Sequence, residues 1–168
     1  MQENALRRMQ EAKKNSGVLI EVAAQHPLKA GEFPGEEFAK RLDAALEFYQ
    51  KNVGSGERIK FYIPGSRHSY NGVADKVSLA KAGTEYLIAK GIKPEDIYGG
   101  AENLKYKGEA GVYNSSDECY VATELFEDNN FGKIVVFCSP AQLMRKALSF
   151  AVRDYAGYVL CTCGAYVP

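Results

Sequence analysis

The sequence predicts a three-layer α/β fold, with a mainly parallel sheet of about five strands and helices on both faces. Short apolar runs alternate along the chain with amphipathic segments, which is the order of elements that a parallel sheet with crossover helices requires. The runs are rich in Val and Ile and are almost continuously apolar, which is typical of strands buried on both faces. Polar residues gather in the loops that follow the strands.

Length, charge and cysteine content narrow the class of protein. The chain has 168 residues, which favours one domain, and we expect a helical extension over residues 1–16 before a single domain over 17–168. Lys and Arg together number 21, as do Asp and Glu, so the net charge of zero argues against a nucleic-acid-binding module. No apolar run is long enough to cross a bilayer or to form the centre of a signal peptide. We therefore expect a cytoplasmic protein that binds neither membrane nor nucleic acid, with its four cysteines as reduced thiols.

The first half of the chain predicts two strands and two helices. Residues 17–23 form an apolar run that fits a buried strand. Pro34-Gly35 then opens a helix with acidic residues in its first turn, where the helix dipole favours them. Its apolar face consists of Phe38, Leu42, Ala45, Leu46 and Tyr49.

A second strand is predicted over residues 59–63, followed by a polar loop and a helix from about Asp75 to Lys90. Asp75 is expected to cap this helix, and Gly91 suits the left-handed conformation just past its end. A short strand near residues 97–98 follows.

The second half repeats the alternation. A third helix is expected to start within residues 114–118, where Ser115 and Glu118 match a capping box. Residues 133–138 form the clearest strand, after which Ser139 caps a fourth helix whose first residue is Pro140. That helix holds Leu143, Ala147, Leu148 and Phe150, and a fifth strand over residues 158–163 closes the domain.

The loops that follow the strands carry the candidate ligand-binding residues. In a parallel sheet all of these loops emerge at the carboxyl edge, where ligands of open α/β sheets bind. Helix amino ends also direct unpaired N–H groups there, which suits a phosphate or carboxylate. The candidates are Gly65, Ser66, Arg67, His68, Asn114, Ser115, Ser139, Gln142 and Arg145.

Each candidate also has a structural alternative. Ser115, Ser139 and Asp75 are typical helix caps, and Arg145 is placed to pair with surface carboxylates. His68, like His26, lies in a loop where solvated histidines are common, and two distant histidines do not make a metal site.

Common catalytic motifs are absent. The sequence has no dinucleotide-binding Gly-x-Gly-x-x-Gly after a strand, no phosphate-binding P-loop motif and no nucleophile elbow. The nearest match is Cys138 followed by Arg145, but six residues separate them where a cysteine phosphatase has five.

Four segments resemble the SanA/YdcF/ElyC-like family, a bacterial family of largely unknown function. They are Arg41-Leu42 with Ala45 and Tyr49, residues 86–92, residues 114–118 and residues 138–145, within a likeness that spans roughly residues 17–163. The resemblance implies a Rossmann-like fold and a nucleotide-like ligand such as S-adenosylmethionine.

Two positions depart from the family pattern. Gln142 stands where the family usually has His, and glutamine cannot carry a proton as histidine does. Leu79 stands where the family has an acidic residue at the start of the second helix, although Asp75 lies one turn earlier. Hydrogen bonding by Gln142 survives the first change, because its amide still offers a donor and an acceptor.

Two functions compete. The first is a small-molecule binding protein, with or without hydrolase or transferase activity. In it Asn114, Ser115 and Ser139 donate hydrogen bonds, Gln142 orients the ligand, and Arg145 clamps an anion with help from Arg67 or Arg41. Asp75 or Glu118 acts as a base if burial raises its pKa. The second is a non-catalytic regulatory or scaffold protein that assembles into a homo-oligomer through its N-terminal helix.

Overall fold

A computed structural model describes residues 17–99, 111–153 and 158–162. The predicted helical extension over residues 1–16 lies outside the described residues, as do residues 100–110 of the loop before the third helix and Cys163. In chain order the elements are β1 (Gly17–Val22), α1 (Glu36–Asn52), β2 (Arg58–Tyr62), β3 (Ser69–Tyr70), β4 (Val73–Ala74), α2 (Leu79–Ala89), β5 (Ile97–Tyr98), α3 (Ser115–Asp128), β6 (Lys133–Cys138), α4 (Pro140–Ala151) and β7 (Tyr158–Thr162).

The predicted fold class is confirmed. Five parallel strands form one sheet in the order β5-β2-β1-β6-β7. The chain steps outward from β1 through β2 to β5 and then returns to the other side of β1 with β6. The loops after β1 and β6 therefore diverge to opposite faces of the sheet, and such a switch point opens a crevice at the carboxyl edge.

Side-chain alternation along β1 divides the core into two layers. Val18, Ile20 and Val22 pack with apolar residues of α1 and α2. Leu19 belongs to the opposite cluster, which contains apolar residues of α3 and α4. Because successive residues of a strand point to opposite faces, Glu21 shares the α3 and α4 face with Leu19.

The first helix matches its prediction, and close packing holds the second against it. Phe38, Leu42, Ala45 and Leu46 of α1 are buried, and Tyr49 packs partly buried beside them. A Cβ atom added at Gly83 of α2 would lie 2.7 Å from Ile63 and 2.9 Å from Phe38. We infer that glycine at this position lets α2 approach both the sheet and α1.

The predicted start of the second helix was wrong. The helix begins at Leu79, and Ser78 caps it by accepting a hydrogen bond from the Lys81 N–H at 3.1 Å. Asp75 follows the short hairpin of β3 and β4 instead, where Asn71 and Gly72 form a turn with φ angles of 51° and 77°. Asn-Gly is a strong hairpin signal, because both positions of such a turn need positive φ.

Of the predicted caps of the last two helices, that of α3 is wrong and that of α4 is confirmed. Asn114 rather than Ser115 caps α3, since its Oδ1 accepts from the Asp117 N–H at 3.0 Å. The Ser115–Glu118 capping box was therefore wrong. The predicted Ser139 cap and Pro140 start of α4 are confirmed.

Most of the apolar residues predicted for α4 lie outside its buried face. Phe150 is fully buried, but Leu143 and Leu148 are 36% and 58% exposed. The other buried residue of α4 is Lys146. The hydrophobic pattern misses this face because a lysine occupies its centre.

Over the described residues, the helices are too short or too polar for any of them to span a bilayer.

Candidate functional site

A polar hollow of about 250 Å³ lies at the carboxyl edge of the sheet. We call it the carboxyl-edge hollow. It collects residues from the loops after β1 and β2, from the chain leading into α3, and from the N-terminal parts of α2, α3 and α4. Its lining consists of Ala24, Gln25, His26, Gly65, His68, Leu79, Val112, Tyr113, Asn114, Ser115, Glu118, Gln142 and Arg145.

Six of the nine ligand-binding candidates share this hollow, together with one of the two candidate bases. The six are Gly65, His68, Asn114, Ser115, Gln142 and Arg145, and the base is Glu118. These residues come from three segments that are distant in sequence. The topology brings them together because each segment follows a strand or opens a helix at the same edge of the sheet.

The other three candidates do not line the hollow, and each makes a hydrogen bond within the fold instead. Ser66 is buried, and its Oγ accepts from the Val112 N–H at 2.8 Å, which ties the loop after β2 to the chain before α3. Arg67 is exposed and donates to the Lys76 carbonyl. Ser139 interacts through its N–H with the Gln142 side chain at 3.3 Å, as a helix cap does.

Gly65 shapes the floor of the hollow. It adopts a φ of +111°, a conformation that residues with a Cβ rarely take. A Cβ added there would lie 2.7 Å from the Leu79 Cβ and 3.0 Å from the Ala24 Cβ. Glycine is therefore required both by the backbone angle and by the close approach of β1 and α2.

Two helix amino ends open onto the hollow. Asn114 and Ser115 lie at the start of α3, and Gln142 lies in the first turn of α4. Unpaired N–H groups and the helix dipole make such ends favourable places for negative charge. The cap contacts occupy the Asn114 Oδ1 and the Gln142 Oε1. The Asn114 Nδ2 donates one N–H to the Asp117 Oδ2 at 3.0 Å and keeps its second N–H, while the Gln142 amide nitrogen donates to no described residue.

Arg145 and Arg41 have different environments. Arg145 is exposed in the hollow, and no carboxylate of the described residues lies within ion-pair distance of it. Arg41 is 1% exposed and donates to the Ala23 carbonyl at 2.9 Å and to the Gln25 Oε1 at 2.8 Å. Arg41 therefore braces the loop after β1, while Arg145 is free to meet a ligand.

Two histidines form one side of the hollow. The rings of His26 and His68 lie edge to face with their centres 4.2 Å apart, and the His68 ring lies 5.4 Å from that of Tyr113. The hairpin of β3 and β4 places Asp75 beside this pair, since the Asp75 N–H donates to the His68 carbonyl at 2.8 Å. The Asp75 Oδ2 lies 3.5 Å from the His26 Nδ1.

Three polar atoms of the residues next to His68 are buried. Both ring nitrogens of His26 and the Oδ2 of Asp75 are shielded from solvent and have no hydrogen-bond partner among the described residues. Burial, followed by the neighbouring His68, lowers the pKa of His26 below 6.5, and Asp75 opposes this shift. His26 is thus not the solvated residue that its loop position indicates.

Glu118, another residue of the lining, extends from the hollow into a buried charged cluster. The Nζ of Lys146 donates to Glu118 and to Glu21, and the side chains of Lys146 and Glu21 are fully buried. Tyr62 lies on the strand next to Glu21 in direct register with it, and its hydroxyl and the Glu21 Oε2 have no partner among the described residues. We call Lys146, Glu21 and Glu118 the interior cluster.

The interior cluster shifts the pKa of its members. Burial raises the pKa of Glu21 above 4.5, against the attraction of Lys146. The carboxylates raise the pKa of Lys146 above 10.5, although burial alone would lower it. Since one ammonium serves two carboxylates, the charges balance when Glu21 holds a proton.

Cys119, beside the interior cluster, is not activated as a nucleophile. Cys119 and Cys138 are fully buried. Burial also raises the pKa of Cys119 well above its usual range, which disfavours the nucleophilic thiolate.

Sequence reasoning missed His26 as a site residue, and it missed Lys146 and Glu21 of the interior cluster. Two signals were present: Glu21 interrupts an otherwise apolar strand, and Lys146 interrupts the apolar spacing of α4. A charged residue at a core position usually has a buried partner, but the sequence does not say which.

Across the part of the chain that the structure describes, no group of three or more His, Cys, Asp or Glu side chains is arranged to hold a metal ion. No family model matches the chain, and no curated protein or solved structure shows significant similarity to it.

Proposed function

We propose that the chain binds a small anionic ligand, of phosphate or nucleotide type, in the carboxyl-edge hollow. The observation that carries this proposal is the position of Arg145 beside two helix amino ends in one polar hollow, with no carboxylate partner among the described residues. These three sources of positive potential converge on a single space.

The charge of Glu118 does not oppose this proposal. Glu118 is the carboxylate of the lining, and its interaction with Lys146 compensates it. Arg145 therefore supplies the positive charge that is left over in the hollow. An anion entering there gains a charge-assisted contact without facing an uncompensated carboxylate.

The volume of the hollow limits the size of the group that it holds. Sites for drug-sized ligands measure roughly 300 to 1,000 Å³, so about 250 Å³ fits a phosphate or carboxylate with a small attached group. Nucleotides and S-adenosylmethionine both carry such a group, and membership of the SanA/YdcF/ElyC-like family remains part of the proposal. A cytoplasmic location, which the sequence predicts, is also part of the proposal.

Replacing Arg145 with Ala tests the proposal. We expect R145A to lose most of its affinity for inorganic phosphate and nucleoside monophosphates while keeping the melting temperature of the unmodified protein. Arg67→Ala is the matched control, because Arg67 is also exposed and lies outside the lining of the hollow. It should bind normally.

The readout is a thermal shift with increasing ligand. A ligand at a hundred times its dissociation constant adds about 2.7 kcal/mol of stability, which raises the melting temperature by about 5 to 10 °C for a chain of this length. Equal shifts in R145A and the unmodified protein would contradict the proposal. A scaffold function based on residues 1–16 stays a prediction, since those residues lie outside the described part of the chain.

A further inference from the structure

The two histidines of the lining belong to a feature that simple anion binding does not explain. His26, His68 and Asp75 form a cluster in which both rings are half-buried and line the hollow, while Asp75 is 6% exposed. The Nδ1 of His26 lies 3.5 Å from the Asp75 carboxylate, and the ring centres of His26 and His68 are 4.2 Å apart. We call these three residues the histidine cluster.

The histidine cluster carries too few N–H donors to satisfy the polar atoms that it buries. A neutral imidazole carries one N–H, and an imidazolium carries two. Both ring nitrogens of His26 and one oxygen of Asp75 are buried without hydrogen bonds among the described residues. An added proton would give the cluster a donor that this carboxylate can accept, and a positive charge beside the hollow.

We propose that the hollow binds a dianion of the phosphate or sulfate type together with one proton, which the pair of His26 and His68 carries. This inference rests on the proposed function and names the charge class of its ligand. His68 faces the ligand, while His26 and Asp75 act as positioning residues behind it.

Geometry limits the pair to one added proton. With the ring centres 4.2 Å apart, two imidazolium charges would repel each other strongly. Without a ligand, burial and this repulsion hold the pKa of His26 below 6.5 and keep it neutral at pH 7. A bound dianion supplies the missing negative charge and draws a proton onto the pair.

Several titratable or charged groups lie around the pair and influence whether it takes up a proton. They are Asp75 after β4, Tyr113 before α3, Glu118 on α3, Arg145 on α4, Lys29 in the loop after β1, and Glu36 and Glu37 on α1. Arg145 opposes protonation, whereas the carboxylates favour it. Of the carboxylates, Asp75 has its oxygen closest to a ring nitrogen of the pair.

Sulfate is the probe for the experiment, because it remains a dianion across neutral pH and any proton taken up must go to the protein. Calorimetry at constant ionic strength in buffers of different ionisation enthalpy counts that proton. We expect uptake of up to one proton near pH 7, and an affinity that falls by up to about tenfold per pH unit as the pH rises.

The variant for comparison is the double substitution His26→Gln with His68→Gln, which removes every histidine from the chain. It should still bind sulfate through Arg145, with little proton uptake and a nearly flat pH dependence. If this variant does not fold, NMR of the unmodified protein labelled at histidine gives the same answer. Sulfate at pH 7 should then move at least one ring signal toward its imidazolium position.

The outcomes separate the two proposals. Sulfate binding with no proton uptake and no change in the histidine signals would overturn the inference and leave the proposed function standing. The same pH dependence in the double variant would also overturn it. Failure of the unmodified protein to bind either sulfate or phosphate would overturn the proposed function itself.

Discussion

The interior cluster and the histidine cluster differ in how their buried charges are compensated. Lys146 is fully buried between two carboxylates that it contacts directly. In the histidine cluster, the Asp75 carboxylate lies 3.5 Å from the His26 ring nitrogen, and the buried nitrogens of His26 and one carboxylate oxygen lack hydrogen bonds among the described residues. Both clusters reach the same hollow, the first through Glu118 and the second through His68.

This difference indicates a division of labour. A buried charge whose partners are in contact holds the fold together, because removing either partner leaves the other uncompensated. Buried polar atoms without partners cost stability, and in native proteins they often mark a ligand site. The interior cluster therefore fixes the elements around the hollow, and the histidine cluster is free to respond to a ligand.

The largest expected effect is from Lys146→Met, which replaces the buried aliphatic part of the side chain but removes the ammonium group that Glu21 and Glu118 contact. Breaking a buried pair in this way costs about 3 to 5 kcal/mol. Urea denaturation should show this loss. Lys40→Met is the control, since Lys40 pairs with Glu36 and Glu37 on an exposed face, where such pairs contribute about 0 to 1 kcal/mol. Equal losses in the two variants would contradict the assignment.

The ion pairs of Lys146 also make the stability of the protein depend on pH. The folded-state pKa of Lys146 is raised above 10.5, so its contribution is fully present below that pH and is lost as the pH rises through the folded-state value. The stability difference between the unmodified protein and K146M should therefore shrink at high pH. A difference that stays constant from about pH 9 to about pH 11.5 would argue against a charged Lys146.

A smaller loss is expected for Arg41→Met. The guanidinium satisfies the carbonyls of Ala23 and Ala24 and the side chain of Gln25, all in the loop that borders the hollow. Unsatisfied buried acceptors cost about 1 to 3 kcal/mol, and sulfate affinity should fall with the loosened loop. Arg67→Met, at an exposed position, should change stability by less than about 0.5 kcal/mol. A thermally unaltered R41M would show that the loop does not need this brace.

The smallest effect is expected for Asp75→Asn, within about 1 kcal/mol of the unmodified protein in urea denaturation. No side-chain hydrogen bond of Asp75 to a described residue is lost, and the shape is kept. The variant should instead weaken sulfate binding and reduce its pH dependence. A stability loss as large as that of K146M would make the histidine cluster a second structural pair and remove the contrast.

The sequence predicted elements best where the pattern was long. The α1 helix and the strands β1 and β6 lie within one or two residues of their predicted bounds, because apolar periodicity over a whole element leaves few alternatives. The start of α2 was wrong because a weak capping signal at Asp75 was weighed without the stronger Asn71-Gly72 turn signal. That hairpin then displaced Asp75 toward His26.

The candidate site was predictable in outline but not in its chemistry. Gln142 and Arg145 follow from their place after a strand, because topology alone brings such loops together. The interior cluster does not follow in the same way, since Lys146 and Glu21 are 125 residues apart and only the folded chain shows that they pair. His26 looked solvated for the same reason, because its burial depends on Asp75 from another loop.

The central claim is that loops from both sides of the switch point form one anion site, and backbone amide NMR with inorganic phosphate tests it most directly. We expect the largest shifts at Gly65, at Ser115, and at Gln142 and Arg145, which together surround the hollow. The amide signals of α1 beyond its first turn should stay unchanged. If phosphate moves no signals, or moves those of a different surface, the carboxyl-edge hollow is not the ligand site.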